Sequence, residues 1–310
     1  MHRRNRIRLT LITMLSMSHA QAVETMSGED FFKSFGIDPE STEVVSLELA
    51  PGMYALRGVG GNIVASIGSQ GTLVVDDQFE ASASRIHAAI SELGGGPIDF
   101  VINTHWHFDH VGGNLPLAEG GSWIVAHETT REMMTHPQTV NLVTVKTTQD
   151  AYPDAALPVI TFSDRLRFHF NGQTVDLLHF GPAHTTSDVA VFFRESGVVH
   201  MGDIYNSRYP FIDADSGGSL SGAIEFCRKI LAELGADAVV VPGHGIPGTR
   251  ADFEAYIDMM ATVHDRIATL VADGASLEDV IAAKPTAEWD EQRGDPSRFI
   301  DRAYVSIKRD

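Results

Sequence analysis

The chain has 310 residues, 43% hydrophobic and 21% charged, with 28 Gly, 13 Pro and one Cys. That composition excludes a disordered chain, a collagen and a disulfide-stapled miniprotein, and the length is enough to bury a sizeable core. Forty-one acidic against 23 basic residues give a formal charge of −18, and a body this acidic repels phosphate backbones, so no nucleic acid is expected as a partner.

Residues 1–8 are basic, Leu9–Met17 is a short apolar run, and Ser18-His19-Ala20-Gln21-Ala22 has the A-x-A shape of a signal-peptidase site. This order predicts a signal peptide over 1–22, a mature chain beginning near Val23, and a periplasmic or secreted location. The run is shorter than the ~20 residues a membrane helix needs, so no stable membrane anchor is expected. Residues 23–310 read as one domain, with a core over about 43–250 and a helical tail over 250–310.

Ser27 is placed to cap a short helix through Phe35, ended by Gly36. Strands follow at Glu43–Leu49, Met53–Arg57, Asn62–Ile67 and Thr72–Asp76, punctuated by Gly and Pro as in an antiparallel meander. Ala81–Leu93 has helical spacing and stops at three glycines. Ile98–Ile102 reads as a buried strand that opens into a loop, Asn103–Gly113, dense in His and Asp. Trp123–Ala126 is a short strand before a helix at Glu128–Met134. Residues 136–160 are irregular and read as a flap or surface insertion. Asn171-Gly172 between Arg165–Phe170 and Gln173–His179 is the clearest hairpin signal. Val189–Phe193 and Val198–Met201 form a further strand pair. A helix at Leu220–Leu234 and a strand at Ala238–Val241 follow. Cys227 lies on the apolar face of that helix and reads as a packed small hydrophobe. The tail predicts helices at Arg250–Ala272, Leu277–Ala282 and Ser297–Ile307. Two strand-rich halves, each followed by helices, predict an α/β fold with sheet packed on sheet and helices outside.

The chemistry concentrates in His105-Trp106-His107-Phe108-Asp109-His110. Four candidate ligands fall within six residues, just past a predicted buried strand. Imidazole and carboxylate are the ligand types of open catalytic zinc sites. Three more candidates lie at other element ends. They are His184 in Gly181-Pro182-Ala183-His184-Thr185, Asp203 in Met201-Gly202-Asp203, and His244 in Pro242-Gly243-His244-Gly245.

This H-x-H-x-D-H motif, the later GPAHT, the GD after a strand and the final GHG resemble the metallo-β-lactamase superfamily, in order, from about Asn62 to His244. The resemblance implies an αββα sandwich of two mixed sheets with the metal site at one edge. It implies two Zn2+ per chain, the first held by His105, His107 and His184 and the second by Asp109, His110 and His244. Asp203 then resembles the residue that bridges both in glyoxalase-II-like and lactonase-like members. Class B1 and B2 β-lactamases usually carry Cys there and class B3 usually Ser. The flavodiiron branch has Glu in place of His107.

The function implied is hydrolysis of a small-molecule substrate at an activated carbonyl by a metal-bridging hydroxide, with Asp109 orienting it and moving a proton. A β-lactam is the first expectation, chiefly from the export signal. A lactone, ester or thioester is the alternative that Asp203 favours, and a non-catalytic periplasmic metal-binding protein is a third. His with carboxylate also suits iron or manganese. Arg208 reads either as an anchor for a substrate carboxylate or as a surface ion pair. Asn206 reads as a carbonyl-polarising or a turn residue. Tyr205, Tyr209 and Phe211 wall a pocket or pack, Trp106 and Phe108 wedge the loop against the core, and His127 caps a helix or packs.

Overall fold

Strands form where Val, Ile, Leu and aromatic residues concentrate, and turns where Gly, Asn and Pro break those runs. The structure is a computed structural model that describes residues 23–310; the signal-peptide reading lies outside the described residues. It begins with β1 (Glu24–Ser27) and α1 (Gly28–Ser34), whose cap is Ser27, accepting from Asp30 N. The meander β2 (Val45–Ala50), β3 (Met53–Arg57), β4 (Ile63–Gly68) and β5 (Gly71–Val75) leads to α2 (Ala83–Glu92) and β6 (Ile98–Ile102). Then come α3 (Phe108–Val111), α4 (Asn114–Glu119), β7 (Trp123–His127) and α5 (Glu128–Met134). The segment read as an irregular flap or insertion is regular in part, with a hairpin of β8 (Gln138–Asn141) and β9 (Val145–Gln149). β1 adds to β9 in parallel, making a three-stranded sheet. Short strands rich in Thr, Gln and Asn carry little apolar alternation, so sequence pattern did not reveal them.

β10 (Ile160–Phe162) completes a seven-stranded sheet in the order β10-β7-β6-β5-β4-β3-β2. The second half contributes β11 (Arg165–Phe170), β12 (Gln173–Leu178), β13 (Ala190–Phe193), β14 (Val198–His200), α6 (Leu220–Glu233), β15 (Val239–Val241) and β16 (Gly248–Thr249). These strands form a six-stranded sheet in chain order. The tail is α7 (Arg250–Ala272), α8 (Leu277–Ala282), α9 (Asp290–Arg293) and α10 (Ser297–Arg309). The β11–β12 turn is built as its sequence demands: Asn171 and Gly172 take φ of 52° and 74°. α9 is a single turn and was not legible in the sequence.

Between the sheets lie Val64, Leu73, Val75 and Ile102 from one and Val175, Leu177, Val191 and Val241 from the other. Ile86 and Ile90 of α2 cover the outer face of the larger sheet. Phe226 and Cys227 of α6, Phe253 and Tyr256 of α7 and Phe299 of α10 cover the other. The architecture is therefore an αββα sandwich of mixed sheets. Among the described residues, no helix is long and apolar enough to cross a membrane.

One buried charge sits away from the site. Asp176 on β12, its side chain 1% exposed, accepts from Arg167 Nε at 2.6 Å and from Arg194 Nε at 2.8 Å. Burial raises its pKa, but the two guanidinium hydrogen bonds more than offset this and hold the carboxyl below the usual carboxylate range. A depressed pKa gives stability that is present above the unfolded value of about 3.9 and is lost as pH falls through the folded value. Asp176→Asn is expected to cost about 1–2 kcal/mol at pH 7, because both arginines are partly exposed and rehydrate. Urea unfolding of the two proteins should differ at pH 7 and converge as pH falls below the usual carboxylate range.

Candidate metal centre

The loop after β6 is turned back by a carboxylate. Thr104 N donates to Asp76 Oδ1 at 2.7 Å, and Thr104 Oγ1 donates to Asp76 Oδ2 at 2.8 Å. Asp76 and Gln78 hold left-handed φ of 64° and 61°, uncommon for side-chain-bearing residues. Asp77 between them accepts from Gly113 N at 2.9 Å. These bonds fix both ends of the segment 103–113. β12, β14 and β15 end at the same edge of the sandwich, and the loops that follow deliver His184, Asp203 and His244.

The structure brings all seven residues together. His105, His107 and His184 offer ring nitrogens to one point; the rings of His105 and His110 and a carboxylate oxygen of Asp203 meet at a second; a carboxylate oxygen of Asp109 and the rings of His110 and His244 meet at a third. Within each group the ligand atoms lie within 4.8 Å of one another. Asp203 belongs to the seam between them. Its Oδ1 is 3.2 Å from His110 Nε2, and its Oδ2 is 3.4 Å from His244 Nε2 and 3.8 Å from His184 Nε2. Asp109 Oδ2 lies 3.2 Å from His244 Nε2. Gly243 is required here, since a Cβ at that position would overlap Asp203 Oδ1.

The hydrogen bonds behind the rings fix their tautomers. His184 Nδ1 is 2.7 Å from the carbonyl of Phe211, which only accepts, so Nδ1 carries the proton and Nε2 is bare. His107 Nε2 is 3.1 Å from Asp213 Oδ2, so its proton sits there and Nδ1 is bare. These two bare nitrogens face each other at 2.9 Å. Two lone pairs repel at that distance unless a cation lies between them. His105 Nε2 and Asp203 Oδ1 are buried without a hydrogen-bond partner, which a cation would also supply.

The local field agrees. Burial lowers the pKa of His105, and the neighbouring imidazoles lower it further, leaving a neutral ligand. Burial disfavours the charged form of His244, but Asp203 and Asp109 override it and push its pKa up to about 10. The carboxylates thus call for positive charge at this point. Asp76 Oδ2 receives His110 Nδ1 at 2.8 Å and directs His110 Nε2 inward. The residue set therefore fits bound metal cations.

Sequence reading gave neither Asp76 nor Asp213 a role. A lone Asp after a strand carries no spacing signal; only the fold places these carboxylates behind ligand histidines. His127 does cap α5, accepting from Thr129 N at 3.2 Å. Trp106 is fully buried and wedges the loop as expected. Phe108 instead lines the adjoining pocket. Asn206 accepts from Arg208 N at 3.1 Å and bridges His244 through its backbone, a turn role that also borders the pocket. Arg208 is exposed and lines the same pocket.

That pocket, about 560 Å³, opens over His107, Asp109, Asp203 and His244. Its apolar lining includes Phe31 and Phe35 beside α1, Phe108, Leu142 and Phe211. The segment read as a flap therefore reaches the site through Val140 and Leu142.

A family model of the metallo-beta-lactamase superfamily matches residues 61–244, more than half of the chain, from the glycine beside His110 to the last histidine of the centre. The chain belongs to that superfamily, whose members are generally hydrolases. Two solved metallo-beta-lactamases share the fold. One, from Pontibacter korlensis, aligns with TM-score 0.57 and 17% identity over 71% of this chain and 99% of its own. The other, DIM-1, aligns with TM-score 0.57 and 16% identity over 72% and 99%. The alpha subunit of 2,4-dinitroanisole O-demethylase from Nocardioides sp. (strain JS1661) is 27% identical over 203 residues. That match covers 62% of this chain and 55% of the relative, so it spans about half the relative's length.

Proposed function

We propose that this protein is a binuclear zinc hydrolase that opens a lactone, ester or thioester in a small, partly apolar molecule. The observation that carries the reading is Asp203, a carboxylate within 3.8 Å of the ring nitrogens of His184, His110 and His244. An anionic oxygen at the seam favours two hard cations side by side. When bound, the ions would polarise a carbonyl and lower the pKa of water toward ~7. The chain's own part is positional. Asp213 and the Phe211 carbonyl hold His107 and His184 with their bare nitrogens inward. Asp109 Oδ2 lies at the pocket face beside His244, where it can take a proton from water and return it to a leaving oxygen or sulfur.

A β-lactam is the second reading. Arg208 at the pocket favours it, since a guanidinium suits the carboxylate such substrates carry. The deciding experiment is turnover by purified, metal-analysed mature protein of a panel of lactones, aryl esters, thioesters and β-lactams. Turnover of the first three that is lost with chelator and restored by zinc supports the proposal. Turnover of β-lactams alone replaces it with the second reading. The export signal read at residues 1–22 supports action outside the cytoplasm, which fractionation of tagged protein would test.

A further inference from the structure

The hydrolytic reading explains the histidines and carboxylates of the pocket. It does not explain the arginines. Arg208, Arg293 and Arg298 line the same cavity with one carboxylate from their segment, Asp295. Three guanidiniums there stand out in a chain of formal charge −18.

The three have different tasks. Arg293 is a brace. Its Nη1 donates to Arg208 O at 3.1 Å, and its guanidinium lies 5.3 Å from the Tyr256 ring centroid. This ties the loop after Asp203 to the α9 turn and sets Arg208 Nη1 beside Gly294. Asp295 is occupied, since its Oδ1 accepts from Ser297 N at 2.9 Å and from Ser297 Oγ at 2.5 Å. Arg208 and Arg298 make no side-chain hydrogen bond or ion pair among the described residues. Arg298 is nonetheless partly buried, and that burial lowers its pKa despite Asp295. A partly buried guanidinium without a bidentate acceptor is free to take one from a ligand.

The aromatic lining is just as distinct. Phe35 is 65% exposed, and its ring meets Phe31 edge-on at 5.1 Å. A protein does not gain by leaving such a wall to water. Beside a metal centre, an apolar wall and unpaired arginines together describe an amphiphilic acid.

We propose that the C-terminal helical segment builds an anion subsite into this pocket: Arg298 and Arg208 bind a carboxylate of the substrate, while Phe31, Phe35 and Phe108 hold its apolar body. The assignment of this acid as a substrate rests on the hydrolytic reading; its binding does not. The test uses the zinc-loaded protein. Calorimetry would measure phenylacetate and its neutral analogue phenylacetamide on wild type, Arg298→Ala, Arg208→Ala and, as a distant control, Arg167→Ala. Each pocket variant is expected to weaken phenylacetate about tenfold or more and leave phenylacetamide unchanged. Arg208→Ala removes an exposed side chain and so remains informative if Arg298→Ala folds poorly. In parallel, kcat and KM would be compared for 4-nitrophenyl acetate and 4-nitrophenyl hemisuccinate, with the variants raising KM for the anionic ester alone. Wild-type-like binding of phenylacetate by both variants would overturn the subsite, because the carboxylate would then sit elsewhere. Arginine-dependent binding with no ester turnover would keep the subsite and remove the hydrolytic reading. Ester turnover without any anion preference would do the reverse.

Discussion

Asp203→Asn is expected to abolish most turnover and to lower bound zinc from two ions toward one, with the fold retained. The substitution keeps the shape and removes the charge. In the native site that charge lies 3.2 Å from His110 Nε2 and 3.4 Å from His244 Nε2, and burial has taken away the water that would otherwise screen it. The histidines on either side hold the Asp203 carboxyl well below the usual carboxylate range despite its burial. An amide there gives one neutral oxygen to two cations. If the second ion supplies about 4 kcal/mol of transition-state stabilisation, its loss costs about a thousandfold in rate. Metal analysis, circular dichroism and kcat/KM on the same preparation separate the outcomes. A purely structural metal site would instead unfold, with no turnover to lose. Full occupancy with unchanged turnover would remove Asp203 from the mechanism.

The sequence displayed the ligands better than their supports, for a physical reason. Metal ligands on loops fall close together in the chain, as His105, His107, Asp109 and His110 do, or follow strand ends, as His184, Asp203 and His244 do. Some strand patterns were equally plain: Met53–Arg57 and Ile98–Ile102 have the bounds read from the sequence. Supports carry no such mark. Asp76 lies 34 positions from His110, and Asp213 lies 106 from His107. Only the closing of the sheets makes them neighbours. The pocket wall was hidden similarly. Phe31 and Phe35 belong to the short helix after Ser27, and it reaches the site because β1 pairs with β9 over residues that carry no strong strand pattern.

The second large effect is expected at Asp76, where two substitutions should part company. Asp76 accepts from Thr104 N, from Thr104 Oγ1 and from His110 Nδ1, all fully buried or nearly so. Alanine would leave these donors without partners in a place water does not reach. Together they should cost about 3 kcal/mol, or a fall in Tm of about 5 °C in a chain of this size. Asparagine is a different experiment. Its oxygen can still accept from Thr104 N, so the loop should hold. Its amide nitrogen then faces His110 Nδ1 as a donor where an acceptor stood. His110 must shift its proton to Nε2, the nitrogen that points at Asp203. The ring would then present N–H where the site needs a lone pair. Asp76→Asn is therefore expected to keep a near-native Tm without metal and to lose zinc affinity by about 10–100-fold. Differential scanning calorimetry of the metal-free proteins reads the first effect, and competition with a chromogenic chelator reads the second. Equal losses of both quantities in both variants would mean that Asp76 only holds the loop. A loss of affinity without a loss of stability in the asparagine variant would show that it also sets the tautomer of a ligand.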